Sequence, residues 1–383
     1  MFEDLVPQEK VWTRLLAARR NGRVAGAYLF HGPPGSGKEG IALRYCALLN
    51  CHRPDDEPCG TCPSCTKFRS LQHPNVILLV PFPRDRDIVK EDPPLKALSH
   101  KTLALLNELT QRKAQDPYAK ITLPRASTIL LNSVRDLRKK IYLKAVETGR
   151  KFVLIFDAHL LMTQQGESAN ALLKIIEEPP ESTTFILTTE TPDRLTETIR
   201  SRCQSVYFPP LLEEALLPYL TDRMDVDDSR ARFLAHLSQG NVRLARSLAK
   251  ENLDDLDSLV DRLVTWLTQD TGEGYLRFVT HALSSYRADP QALALHFQLL
   301  SYFFRDAYLV QTLNGEAGLI LLSLEDTVRK ICTRFPQADF PGVVSALELC
   351  MDSLSRNYHP NLVFMNLLLD IRENLRPEGP VRP

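Results

Sequence analysis

Gly32-Pro33-Pro34-Gly35-Ser36-Gly37-Lys38-Glu39 is the stretch that decides the fold of this 383-residue chain. It follows the apolar run Ala27-Tyr28-Leu29-Phe30-His31 and precedes a helical pattern begun by Ile41-Ala42-Leu43. A strand, a glycine loop with lysine, and a helix in that order make a phosphate-binding loop. Glycine lets backbone N–H groups turn inward around phosphate oxygens, and the helix N-terminus adds a favourable dipole. Gly32, Gly35 and Gly37 shape the loop, and Lys38 is placed to reach the outer phosphates. The next residue should be Ser or Thr, whose hydroxyl holds Mg²⁺, but here it is Glu39. A carboxylate about 4 Å from a phosphate charge repels it by roughly 4 kcal/mol at an effective dielectric of about 20. A carboxylate is also a good Mg²⁺ ligand. Glu39 therefore either opposes nucleotide or partly replaces the hydroxyl. The expectation is that ATP/Mg²⁺ binding is weak or absent.

Outward from the loop, 9–21 reads as an amphipathic helix. Residues 76–80, 152–157 and 184–189 read as buried strands, and 129–145 and 169–176 as helices. Helix–strand alternation up to about 208 predicts a parallel α/β sheet. The polar stretch 82–125 contains Arg84-Asp85-Arg86-Asp87 and Asp92-Pro93-Pro94, with one helical segment near 95–112. It reads as an insertion or a long surface excursion. After Pro209-Pro210 the pattern is helical only. The expected division is an α/β domain over 1–209, a small helical unit over 210–251 and a larger helical domain over 252–375. Helix breaks are expected near Asp289-Pro290, Asn314-Gly315, Pro341-Gly342 and His359-Pro360. A Pro-rich tail, 376–383, is expected to be disordered.

Asp157 ends the 152–157 strand, where a second acidic motif of phosphate-loop enzymes holds metal through water. The residue after it would normally be a Glu that orients the attacking water, and here it is Ala158. Asp157 could equally cap the turn that follows.

Cys51, Cys59, Cys62 and Cys65 are clustered, and the other four of the eight cysteines are scattered. Four thiolates at this spacing suit a closed tetrahedral structural Zn²⁺ site, with Gly60 and the neighbouring prolines shaping the turns. Lys+Arg and Asp+Glu both number 47, so global charge gives no support for nucleic-acid binding. No apolar run reaches membrane-spanning length, and Met1-Phe2-Glu3-Asp4-Leu5 lacks a signal-peptide core. A cytoplasmic location with no membrane partner is expected.

Three further features are weaker. Arg135, Arg138, Lys139, Lys140 and Lys144 make the 129–145 helix basic on one side, a hint of phosphate-backbone contact. Glu177-Glu178 sits at a helix C-terminus, where negative charge opposes the macrodipole and invites a basic partner. Ser201-Arg202-Cys203 follows a helix expected at 193–200, and chemistry alone makes Arg202 a solvated residue.

The run Ala169-Asn170-Ala171-Leu172-Leu173-Lys174-Ile175-Ile176-Glu177-Glu178-Pro179-Pro180 resembles the hallmark of bacterial AAA+ clamp-loader subunits of DNA polymerase III. Ser201-Arg202-Cys203, the four-cysteine knuckle and Gly240-Asn241-Val242-Arg243 are similar to the family too. The resemblance covers nearly the whole chain apart from about 82–125. It implies an α/β AAA+ module with a parallel sheet, then a helical lid and an all-α collar that joins five subunits in a ring. It implies that Arg202 is an arginine finger reaching an adjacent motor subunit's ATP, and that Arg243 is the lid arginine that senses nucleotide. The motor type, gamma/tau, has Lys-Thr or Lys-Ser and Asp-Glu where this chain has Lys38-Glu39 and Asp157-Ala158. Both departures look like the non-hydrolytic delta-prime type, a stator that supports ATP-dependent clamp loading. The implied partners are gamma/tau and delta subunits in a hetero-pentamer, with the sliding clamp and primed DNA reached through the complex. An active gamma/tau-like ATPase is the alternative.

Overall fold

The computed structural model describes residues 4–162, 166–250, 253–269, 271–288, 290–313, 318–355 and 358–376. The tail expected at 376–383 lies outside the described residues from Pro377 onward, as do Asn314-Gly315 and Asp289. The chain forms two compact units, Met1–Arg246 and Ser247–Pro383.

Among the described residues, the first unit holds five strands: β1 (Ala27–His31), β2 (Val76–Leu79), β3 (Lys151–Ile155), β4 (Thr183–Thr189) and β5 (Gln204–Tyr207). They form one sheet in the order β2-β3-β4-β1-β5, parallel throughout. In register, Ala27 pairs with Phe185, Lys151 with Thr183, Val76 with Phe152 and Tyr28 with Gln204. Every residue of β4 is buried, as are Phe152 to Ile155 of β3. Near-continuous apolar runs of this kind are what parallel strands covered on both faces require. β5 is absent from the sequence expectations. It is an edge strand of four residues with only Val206 buried, so it carries no apolar run to read.

The helices of this unit are α1 (Glu9–Arg20), α2 (Lys38–Leu49), α3 (Pro63–Arg69), α4 (His100–Gln115), α5 (Leu131–Ile141), α6 (Glu167–Glu177), α7 (Glu197–Arg202), α8 (Glu213–Met224), α9 (Asp228–Ser238) and α10 (Val242–Leu248). α1 buries Val11, Trp12, Leu15 and Leu16 along one stripe. α2 is enclosed on every side from Ile41 to Leu43 and from Tyr45 to Leu48. The helix expected over 129–145 stops at Ile141, beyond which Tyr142, Leu143 and Lys144 are exposed. Lys144 consequently lies beyond the helix, off the basic face expected for it. The helix expected at 193–200 begins at Glu197, where the Thr196 side chain accepts from the Ile199 amide, and runs through Arg202 itself. The 82–125 stretch does not remain on the surface. After α4 it turns inward and buries Tyr118, Ile121 and Leu123.

Ligands of open parallel sheets bind beyond the carboxyl ends of the strands. β3, β4 and β1 are neighbours, so the residues just after them come side by side: Asp157, Glu190 and Gly32.

The second unit contains α11 (Leu253–Thr268), α12 (Gly272–Ala288), α13 (Pro290–Leu313), α14 (Glu325–Arg334), α15 (Phe340–Ser355) and α16 (Pro360–Leu375). Its core is aromatic, with Phe278, Phe303, Phe304, Phe340 and Phe364 fully buried. Pro290 and Pro360 open helices, as the missing N–H allows. Pro341-Gly342 follows the break between α14 and α15 and sits in the first turn of α15, where Asp339 Oδ1 accepts from the Gly342 amide at 3.0 Å. Among the described residues, no helix is long and apolar enough to cross a membrane.

Candidate functional site

The loop after β1 has the shape of a phosphate cradle. Gly35 and Gly37 are left-handed, with φ of 70° and 83°. A Cβ at Gly35 would also overlap the Asn241 side chain at the start of α10, so the position demands glycine twice over. Lys38, however, is turned back into its own loop. Its Nζ donates to Gly32 O at 2.9 Å, Pro33 O at 2.7 Å and Ser36 Oγ at 3.2 Å. Burial first, then the nearby Lys120 and Arg243 against Glu190, pulls its pKa down to about 8.

The acidic groups of the cradle are each met by a cation from the same chain. Glu39 Oε2 lies 2.5 Å from the Nζ of Lys113, which is only 1% exposed and also donates to Pro117 O at 2.8 Å. Burial lowers the Lys113 pKa, and Glu39 offsets only part of that. Asp157 makes no helix cap. Its Oδ1 accepts from Lys120 Nζ at 2.8 Å. The same ammonium lies 3.2 Å from Glu190 Oε1, which also accepts from Arg243 Nη2 at 2.8 Å. Burial alone would raise Glu190, yet Lys120, Arg243 and Lys38 bring it down to about 2. Burial would lower Lys120, but Asp157 and Glu190 lift it above its ordinary value.

The space left among Gly35, Lys38, Lys113, Lys120, Glu190 and Arg243 is about 30 Å³. That holds a water or two, whereas sites for nucleotide-sized ligands run to several hundred Å³. A larger cleft, about 410 Å³, lies within the 82–125 stretch between Arg86, Asp92, Lys96 and His100, away from the loop.

Sequence reasoning placed Gly32, Gly35, Gly37, Lys38, Glu39, Asp157 and Arg243, and the fold gathers them at one rim. It missed Lys113, Lys120 and Glu190. An acid in the hydroxyl position was the available signal, since a buried carboxylate calls for a cation.

Arg202 lies apart from the cradle, on the last turn of α7. Its Nη2 lies 2.8 Å from Glu177 Oε1 at the end of α6, and its Nη1 donates to Thr198 O at 3.2 Å. The side chain remains 39% exposed. The basic partner invited by Glu177 is thus within the chain.

The cysteines converge as their spacing predicted. The Sγ atoms of Cys51, Cys59, Cys62 and Cys65 all lie within 4.8 Å of one another. Zn–S bonds of about 2.3 Å in a tetrahedron place sulfurs about 3.8 Å apart, so the cluster fits such an ion. The Cys59 amide donates to Cys51 Sγ at 3.3 Å, Cys62 to Cys59 Sγ at 3.4 Å and Cys65 to Cys62 Sγ at 3.4 Å. The last of these makes Cys62 the N-cap of α3, with Pro63 at its first turn. Amides of Thr61 and Cys62 bring the Cys59 thiol down to about 5, while burial pushes Cys65 up.

Residues 7–212 match the family described as DNA polymerase III, delta subunit. The chain is 24% identical over 366 residues to DNA polymerase III subunit delta' of Bacillus subtilis, covering 96% of each. It is 24% identical over 389 residues to the tau subunit of the same organism, covering 95% of this chain but 60% of that one, less than two thirds of its length. Among solved structures, a DNA polymerase III gamma subunit-related protein of Thermotoga maritima aligns over 94% of this chain and 99% of its own, with a TM-score of 0.37 and 18% identity.

Proposed function

The chain belongs to the DNA polymerase III delta-subunit family of clamp-loader proteins, and from that premise we propose that it is a delta-prime-like stator of the loader. In this reading it neither polymerises nor turns over ATP. It supports ATP-dependent placement of a sliding clamp on primed DNA by working beside gamma/tau and delta subunits in a hetero-pentamer in the cytoplasm. The observation that carries the reading is the cradle whose charges are already paired. Glu39 is met by Lys113, and Asp157 and Glu190 by Lys120. Ala158 follows Asp157 where a water-orienting Glu would stand.

Arg202 is the group assigned to act on a neighbour. An arginine finger stabilises charge on a transferring phosphoryl group, and Arg202 has the exposure this needs. We take 1–209 as the α/β module, 210–251 as the lid, with Arg243 as its arginine, and 252–375 as the collar. Leu362, Met365 and Leu369 stand exposed along one line of α16, an apolar stripe of the sort that assembly covers. Structural Zn²⁺ held by Cys51, Cys59, Cys62 and Cys65 completes the assignment. It would supply folding energy and no chemistry.

The test is a loader reconstituted from its subunits with Arg202→Ala in this chain. ATP turnover and clamp loading should fall severalfold or more while the variant's melting temperature stays put, since exposed ion pairs contribute about 0–1 kcal/mol. Unchanged turnover would refute the finger. A second reading, an active gamma/tau-like ATPase, draws on the intact Gly32-to-Lys38 loop. ATP hydrolysis by the isolated chain that disappears with Lys38→Ala would establish it instead.

A further inference from the structure

The reading above uses the 82–125 stretch only as the source of two cations of the cradle, Lys113 and Lys120. Lys113 and Lys120 reach the loop from α4 and the segment after it. The same short segment is tied to the helices that follow the sheet at three points. Asp116 Oδ1 accepts from Arg246 Nη1 at 2.7 Å on α10, and also from its own neighbour's amide, that of Tyr118, at 2.9 Å. The Tyr118 ring meets that of Tyr219 on α8 edge to face, with centroids 6.0 Å apart. The Lys120 ammonium lies against Glu190, which in turn accepts from Arg243 on α10. Tyr118 OH also accepts from the Val6 amide at 2.9 Å, so the chain's beginning is held at the same place.

In an open phosphate cradle, a metal-bound nucleotide would lie between the acidic strand ends and the lid, and its charge would couple them. Here a cation already stands between Asp157 and Glu190, and Arg243 is engaged by a carboxylate instead of a phosphate. We infer that Lys120, with the 113–120 segment around it, takes the place of the metal ion of a bound nucleotide and Glu190 that of a phosphate, and that the pair fixes α8–α10 against the sheet in a posture that does not respond to nucleotide. Lys120 is a positioning residue in this scheme. It acts through Glu190 on Arg243 and touches no substrate. The inference rests on the reading of the cradle as a closed site and adds what closes it and what the closure holds.

Backbone hydrogen exchange in the isolated full-length chain tests it, because local opening of an element is read directly from its amides. Amides of α10 in the unmodified chain should exchange at the same rate with and without millimolar Mg²⁺-ATP. Lys120→Ala should speed their exchange by roughly tenfold or more while the amides of β3 stay protected, and Lys120→Arg should restore the slow rate. If Lys120→Ala does not fold, Asp116→Asn, which removes the charge holding Arg246, should loosen α10 in the same way. Added protection of α10 by Mg²⁺-ATP in the unmodified chain would overturn the inference. So would α10 exchange left unchanged by a folded Lys120→Ala or, where that variant does not fold, by Asp116→Asn. Neither measurement involves Arg202 or a partner subunit, so this inference can fail while the finger assignment stands.

Discussion

The cradle and the cysteine knuckle lie in the same unit, and both gather groups that ordinarily hold a ligand. They differ in how their charge is balanced. Around the loop, Glu39, Asp157 and Glu190 are answered by Lys113, Lys120 and Arg243. Around the knuckle, four sulfurs converge within metal-binding distance of one another and take amide donors. The first region pairs its acids within the chain, and the second has the spacing of a metal site. A cluster of ligand-type residues therefore implies a ligand to the extent that its charge is left open. Residue type and spacing do not decide that.

The comparison is most exposed at the knuckle. Cys62→Ser removes one of the four thiols and leaves a hydroxyl that still caps α3. Metal content should fall from about one Zn²⁺ per chain to none. Stability should drop on the order of 5 kcal/mol, a melting shift of roughly 10–20 °C. A metal-free chain with an unchanged melting temperature would mean that the knuckle, too, is complete by itself.

Lys113→Ala should come next. It strands the Glu39 carboxylate, 12% exposed, without its partner. Removing one member of a buried pair costs about 3–5 kcal/mol, and replacing both with apolar residues recovers most of it. Urea titration of Lys113→Ala and of Lys113→Met with Glu39→Leu separates the two cases. A single variant as stable as the parent would show that the charges of the cradle are not mutually dependent.

The smallest of the three effects is in the pH dependence. Glu190 is held at about 2, below its ordinary 4.5. A depressed carboxylate stabilises the fold above its unfolded value and loses that contribution as pH falls. On this account on the order of 2 kcal/mol should disappear between about pH 4.5 and pH 2. Glu190→Gln should flatten that part of the acid limb, and an acid limb of unaltered slope would remove Glu190 from the network.

Much of this was legible in the chain. β1, β3 and β4 announced themselves as apolar runs, and the loop as glycines followed by lysine. β5 did not, because three of its four residues face solvent. The cysteines declared their cluster through short spacing. Lys113 and Lys120 were hidden for the opposite reason. They stand 74 and 37 residues from the carboxylates they meet, in a stretch whose lysines look solvated. A sequence can reveal that Glu39 needs a cation. Which cation reaches it depends on how α4 and the segment after it fold back, and no local pattern encodes that.

The parallel sheet also sets a timetable. β1 lies between β4 and β5, and both of its partners are encoded far downstream, with Ala27 matched to Phe185 and Tyr28 to Gln204. At synthesis rates of about 5–20 residues per second, roughly 10–35 s separate the emergence of β1 from that of its last neighbour. Until β4 emerges, an apolar strand has no partner edge to join, and such unpaired strands are prone to aggregate. The knuckle, whose cysteines all lie between residues 51 and 65, can close early in the same interval. During translation, the nascent chain's exposure to chaperones is thus set by the wait for β4 and β5.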